Sequence, residues 1–225
     1  MATAAGRDAS AAREALSSLC RAYWYPIYAY VRRRGHAPEQ SQDLTQDFFA
    51  YVLERDLIAM ADPTRGRFRG FLRTVCARQL AAHHDRRHAA KRGRGRSPLS
   101  IDPSDAERRY TLEPAHELTP ERIFDRTWAL TLLGRVVERL CGEYDDAGRS
   151  DRFEGLLTLL TRGPASDSYA EVACRLGMTE GNVRVAVYRM RRRYGLLLRD
   201  EIAATVGDAA QIDDEIRALF SALEG

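Results

Sequence analysis

The stretch from Ser168 to Arg193 constrains this chain most. Val172, Ala173 and Leu176 recur at helical spacing and stop at Gly177, whose missing Cβ admits the left-handed backbone that a tight turn needs. Thr179 follows as a cap, and Val183, Val187 and Met190 form the inner stripe of a second helix. Such a segment is predicted to fold as a helix-turn-helix, with Arg184, Val185, Tyr188, Arg189 and Arg192 on the outer face. A helix of this kind fits the major groove of DNA, where guanidinium forks pair with guanine edges or clamp phosphates. An ordinary helical hairpin is the plainer alternative. The turn chemistry and the arginines together favour the first reading.

The remaining residues are consistent with an all-α chain. Ala, Leu, Arg and Glu dominate its 225 residues, β-branched residues are sparse, and a hydrophobic share of 44% is enough for cores. Residues 10–34 read as one bent helix or as two joined at Pro26, with Leu16, Leu19, Tyr23, Ile27, Tyr30 and Val31 on the apolar face. A second helix runs from Glu39 to near Met60 through Leu44, Phe48, Val52 and Leu53. After a loop around Pro63 and Gly66, a third carries Phe71, Leu72, Val75, Gln79 and Leu80 and frays into a basic run near Arg96. Residues 97–120 hold four prolines, few apolar side chains and an acidic excess, the composition of a flexible linker. Beyond it, Ile123 to Tyr144 and Arg152 to Thr161 are amphipathic, with Leu130, Leu133, Val137, Leu140, Leu156, Leu157 and Leu160 as core candidates. The predicted organisation is two small helical domains, 10–96 and 121–204, joined by the 97–120 linker and followed by an acidic helical tail, 205–225. In that tail Ile212, Ile216, Leu219 and Phe220 mark the face expected to pack back on the body.

A net charge of +3 conceals an uneven distribution. Residues 65–96 contain eleven basic side chains against Asp85, and residues 184–199 contain six arginines and no acid. Two cationic islands in an acidic body are the footprint of a polyanion held at two places, although solvated helix faces produce similar runs. Lys91 is the sole lysine among 35 basic residues, so recognition rests on arginine. Cys20, Cys76, Cys141 and Cys174 form no CxxC pair and are expected as small buried apolar residues in a reducing compartment. No apolar run approaches the roughly 20 residues of a membrane span and the first residues lack a secretion signal, so a cytoplasmic, nucleoid-associated protein without membrane insertion is expected.

Three motifs in chain order resemble one family, the bacterial RNA polymerase sigma factors of the extracytoplasmic-function class. Tyr169, Glu171-Val172-Ala173 and Val183-Arg184 are similar to the family's second DNA-binding domain; by that resemblance the face of Arg184, Val185, Tyr188, Arg189 and Arg192 reads the upstream promoter element. Val185 and Ala186 depart from the small polar and basic residues usual after the Val-Arg pair, and Val185 is placed to touch a thymine methyl. Asp43-Leu-Thr-Gln-Asp-Phe-Phe49 is similar to the helix that docks on the clamp of core RNA polymerase, which assigns Asp43, Gln46 and Asp47 to polymerase binding. Phe68-Arg-Gly-Phe-Leu-Arg-Thr-Val75 resembles the helix that melts the downstream element. It implies promoter contacts from Arg65, Arg67, Phe68, Arg69, Arg73, Arg78, Arg86 and Arg87, with stacking and cationic contacts replacing base pairing. Phe71 stands where the family usually has tryptophan and Arg78 where it often has asparagine. The resemblance spans nearly all of 12–204 and implies promoter DNA and core polymerase as partners, a linker threaded through the polymerase channel, and no cofactor, metal or catalytic residue. Control by an anti-sigma protein, a regulatory kinase or the acidic tail is left open by the sequence.

Two other classes compete. A stand-alone helix-turn-helix regulator accounts for Ser168–Arg193 but leaves the Asp43–Asp47 helix unexplained. An enzyme acting on nucleic acid would use His83, His84, Asp85 and His88 around a metal; His84 and His88 stand one helical turn apart, yet no carboxylate cluster, phosphate loop or nucleophile motif accompanies them.

Overall fold

The chain is all-helical in a computed structural model that describes residues 2–58, 60, 62, 67–89, 103–112, 118–161, 168–206 and 209–224, without the side chains of 2–16, 18, 84–89, 103, 104 and 161. Its helices are α1 (Ala2–Arg33), α2 (Pro38–Glu54), α3 (Phe68–Ala89), α4 (Pro103–Leu112), α5 (Pro120–Asp146), α6 (Ser150–Thr161), α7 (Tyr169–Leu176), α8 (Glu180–Ala203) and α9 (Ile212–Glu224), with a single 3-10 turn at Ala209–Gln211. No strand occurs among the described residues. The chain divides into two compact units, Met1–Thr131 with Thr205–Gly225, and Leu132–Ala204.

In the first unit α1 is the central element. It runs through Pro26 without interruption, so of the two readings open from sequence the single helix is found. An interior proline costs a helix about 3 kcal/mol or more. Tyr23, Trp24, Ile27, Tyr28, Tyr30 and Val31 are all buried around it, and burying one such side chain returns roughly 1.5–3 kcal/mol, so burial outweighs the lost hydrogen bond. Trp24 and Tyr28 stack at 5.4 Å, and Tyr30 meets Phe124 edge-on at 6.2 Å. Leu44, Phe48, Phe49 and Val52 of α2 and Leu72, Cys76 and Leu80 of α3 complete this core. The second helix stops at Glu54, short of the expected Met60, because the chain turns at Asp56, which takes a positive φ of 48°.

The stretch read from composition as a flexible linker carries a helix. Pro103 occupies the first position of α4, where the missing N–H costs nothing. Ala106 is buried, and Glu107 accepts hydrogen bonds from Arg32 Nε (2.9 Å), Arg32 Nη2 (2.8 Å) and the Tyr28 hydroxyl (2.5 Å). Arg32 also lies over the Tyr110 ring and Arg109 over the Tyr25 ring, at 4.9 and 4.0 Å. Further on, Leu118 joins Ala29 and Ile123 in a small cluster against Tyr110.

In the second unit α6, α7 and α8 pack on one another around Phe153, Leu156, Leu159, Val172, Val183, Val187 and Met190. Leu132, Val136 and Leu140 are the buried positions of α5 here, whereas Leu133 and Val137, like Leu130 of the first unit, are only half-buried. In α6 likewise Leu156 and Leu159 are buried while Leu157 and Leu160 are half-buried. Apolar residues stand on both flanks of these helices, so spacing alone fits either face, and packing against the neighbours selects the one used. Glu201, buried on α8, is held by Arg135 (3.0 Å) and Arg139 (2.8 Å) of α5.

Cys20 and Cys76 are buried, as expected of small apolar residues; Cys141 is half-buried and Cys174 exposed, because Cys174 lies on the side of α7 opposite Val172 and Ala173. No described helix is long and apolar enough to cross a membrane.

Candidate nucleic-acid interface

Local capping fixes α7 and α8 at both ends of the turn between them. Ser168 Oγ accepts from the Glu171 amide at 3.1 Å while the Glu171 carboxylate accepts from the Ser168 amide at 2.8 Å, a reciprocal capping box. Gly177 then takes φ 61° and ψ 34°, the left-handed conformation in which its N–H and that of Met178 close back on Cys174 and Ala173 carbonyls. Thr179 Oγ1 accepts from the Asn182 amide at 3.2 Å and starts α8. With Val183, Val187 and Met190 buried, the opposite face must turn outward: Arg184, Val185, Tyr188, Arg189 and Arg192 are all exposed, Tyr188 at 66%. An aromatic ring and an isolated valine left in water between guanidinium groups form a surface with both apolar and cationic character.

The α8 arginines are not equivalent. Arg184 pairs with Glu180 one turn earlier and lies 5.0 Å over the Tyr169 ring, which orients it. Arg193 makes a two-pronged contact with Glu143, and Arg191 donates to the Leu159 carbonyl at 3.2 Å, so both serve the packing of this unit. Arg189 and Arg192 have no ion pair among the described residues. Arg189 and Val185 border a cavity of about 470 Å³ that Arg149, Arg152, Tyr144 and Met178 also line. Arg149 and Arg152 extend the cationic surface beyond α8. They follow the turn at Gly148 (φ 64°), and only that glycine hints at them in the sequence.

The basic island at α3 is placed less simply. Arg67 and Arg78 are exposed, and Arg73 is half-buried beside Asp125 at 3.3 Å. Arg69, expected to meet DNA, is instead 8% exposed: its guanidinium lies 4.5 Å over the Trp128 ring, 3.4 Å from Asp125 and 3.4 Å from Glu215. Planar guanidinium fits between a ring face and two carboxylates, so this arginine is part of the interior. Phe68 is half-buried, edge-on to Tyr23 at 5.7 Å, with Phe71, also half-buried, at 6.2 Å. Arg65 and the side chains of Arg86 and Arg87 lie outside the described residues, as do those of His84, Asp85 and His88.

A third surface is acidic. Asp43 and Asp47 are exposed one turn apart on α2, with Gln46 half-buried between them and Leu44, Phe48 and Phe49 buried behind. Partial burial, and then the neighbouring Asp43, push the Asp47 carboxyl above the ordinary aspartate range, while His83 works in the opposite sense. Gln79 of α3 donates to the Asp47 carbonyl at 3.2 Å and pins this turn of α2. Searches among models of known families, among curated proteins and among solved structures found no match to this chain.

Proposed function

We propose that this chain is a sigma factor of the extracytoplasmic-function type, which binds core RNA polymerase and directs promoter recognition, melting and initiation, with no reaction of its own. The observation that carries the reading is the outer face of α8: two capped helices joined at a left-handed glycine, acting as a helix-turn-helix, with Arg184, Val185, Tyr188, Arg189 and Arg192 exposed opposite a buried apolar stripe. A second cationic surface at Arg67, Phe68, Arg73 and Arg78 supports a contact with melted downstream DNA, where aromatic stacking and backbone neutralisation replace pairing. The exposed Asp43–Gln46–Asp47 face supplies a carboxylate-bearing surface for the polymerase.

Run-off transcription from genomic DNA with purified core polymerase, with and without this protein, tests the reading. Start sites that arise only with the protein are the expected result. A tight shift of duplex DNA by the protein alone, with no effect on transcription, would instead make it a stand-alone regulator.

A further inference from the structure

The acidic tail keeps Leu219 buried and Ile212 and Ile216 half-buried, as its apolar spacing suggests, but it is rotated so that Glu215 rather than Phe220 flanks them. Phe220 is 50% exposed, whereas Glu215 is 3% exposed and lies buried beside Leu219. A carboxylate displaces a phenylalanine from the interior only where something cationic receives it. Here Glu215 Oε1 is 3.0 Å from Arg67 Nε, and Glu215 Oε2 is 3.4 Å from Arg69 Nε. Arg67 immediately precedes α3 and Arg69 lies in its first turn, both within the basic island 65–96.

The contact is poorly satisfied for an interior one. Glu215 Oε2 and Arg69 Nη1 are buried without a hydrogen-bond partner. Desolvation raises the Glu215 carboxyl above the ordinary glutamate range despite Arg69 and Arg67, so burying it ionised at neutral pH opposes docking. Glu215 and Leu219 are the fully buried side chains of α9, Ile212, Ile216 and Leu223 are half-buried, and Arg126 Nη1 donates to the Leu223 carbonyl at 3.2 Å. Beside the contact is a cavity of about 300 Å³, lined by Arg67, Arg69, Arg122 and Arg126 on one side and by Ala218 and Ser221 of α9 on the other. Four guanidinium groups and the Asp125 carboxylate line it, and Glu215 reaches two of those guanidinium groups, Arg67 and Arg69.

We infer that this arginine-lined cavity is a binding site for the phosphodiester backbone of single-stranded DNA and that α9 closes it, the Glu215 carboxylate taking the place of a backbone phosphate. The inference rests on the function proposed above and adds Arg122 and Arg126 to the DNA surface and a competitor within the chain. DNA and α9 then exclude each other: a phosphate on Arg67 releases Glu215, and α9 lifts.

The test uses the full chain without polymerase. Fluorescence anisotropy with a short labelled single strand at low salt is expected to show Glu215→Gln binding about fivefold more tightly than the natural chain, the effect of freeing the partly exposed Arg67 from its competing carboxylate. Hydrogen exchange of the unaltered chain supplies a measure that needs no variant: amides of Ile212–Glu224 lose protection when the strand is added. Equal or weaker binding by Glu215→Gln, binding by neither protein, or bound DNA with α9 still protected each overturn the inference. Core-polymerase association, measured in parallel, reports on the sigma-factor reading separately. Its absence defeats that reading whatever the anisotropy gives, and intact transcription with an unresponsive α9 defeats only the inference.

Discussion

Glu107→Gln isolates what holds α4 against α1. The carboxylate takes two hydrogen bonds from Arg32 and one from Tyr28. A hydrogen bond to a charged group contributes about 1.5–3 kcal/mol, and with the side chains of Arg32 and Glu107 18% and 27% exposed, solvent screening moves the pair toward the lower end. Glutamine keeps one acceptor oxygen, so the expected loss is about 2 kcal/mol. At ten residues α4 is shorter than an isolated helix can be in water, so once detached it unravels, and the loss appears locally. Amide hydrogen exchange across Pro103–Leu112 should therefore accelerate about thirtyfold in the variant, while α1 amides near Ile27 keep their rates. The pH dependence has a definite sign. Arg32, with Tyr28 assisting, holds the Glu107 carboxyl below its ordinary range, so the contribution is complete above about pH 4.3 and disappears as pH falls through the lowered value. Glutamine should abolish that acid-induced opening. Identical α4 exchange in both proteins at neutral pH would show that the helix is held by Ala106, Tyr110 and the Arg109–Tyr25 contact without Glu107, and would refute the reasoning.

Gly177→Ala meets no atom within 4 Å, so its cost is purely that of a left-handed alanine, about 1–2 kcal/mol, readable as a lower midpoint in urea; an unchanged midpoint would mean that the turn relaxes. Ser168→Ala removes one half of the capping box and should lower stability by about 1 kcal/mol, a shift of a few degrees in Tm by calorimetry. Arg189→Ala should weaken promoter binding by the holoenzyme by roughly 1–3 kcal/mol with no change in Tm, and equal affinity would remove Arg189 from the reading face. Charge reversal of Asp43 and Asp47 should abolish co-purification with core polymerase while circular dichroism stays unchanged.

Features set by neighbours in the chain were legible in the sequence. Ser168 and Thr179 accept from amides three residues on, and Gly177 donates to the carbonyl three residues back, so their capping roles and the outward set from Arg184 to Arg192 follow from spacing. Features set at a distance were not. The partner that orders α4 is Arg32, 75 positions from Glu107, and four prolines with an acidic excess conceal it. In α5, Leu133 and Leu132 fit an amphipathic stripe equally well, and only the packed neighbours bury the second. The same holds at the candidate site: Arg69 looks like its exposed neighbours in a basic run, yet Trp128, Asp125 and Glu215, all remote in sequence, draw it inside.

The unequal burial of the four thiols offers a practical handle. Desolvation pushes the Cys20 thiol to about 11 and the Cys76 thiol to about 12, and burial with Asp145 raises that of Cys141, so each is a poor thiolate at neutral pH. Cys174, exposed on α7 and three residues before the left-handed glycine, should take a maleimide dye first. The unmodified protein thus carries an attachment point for an optical reporter one short helix away from the outer face of α8.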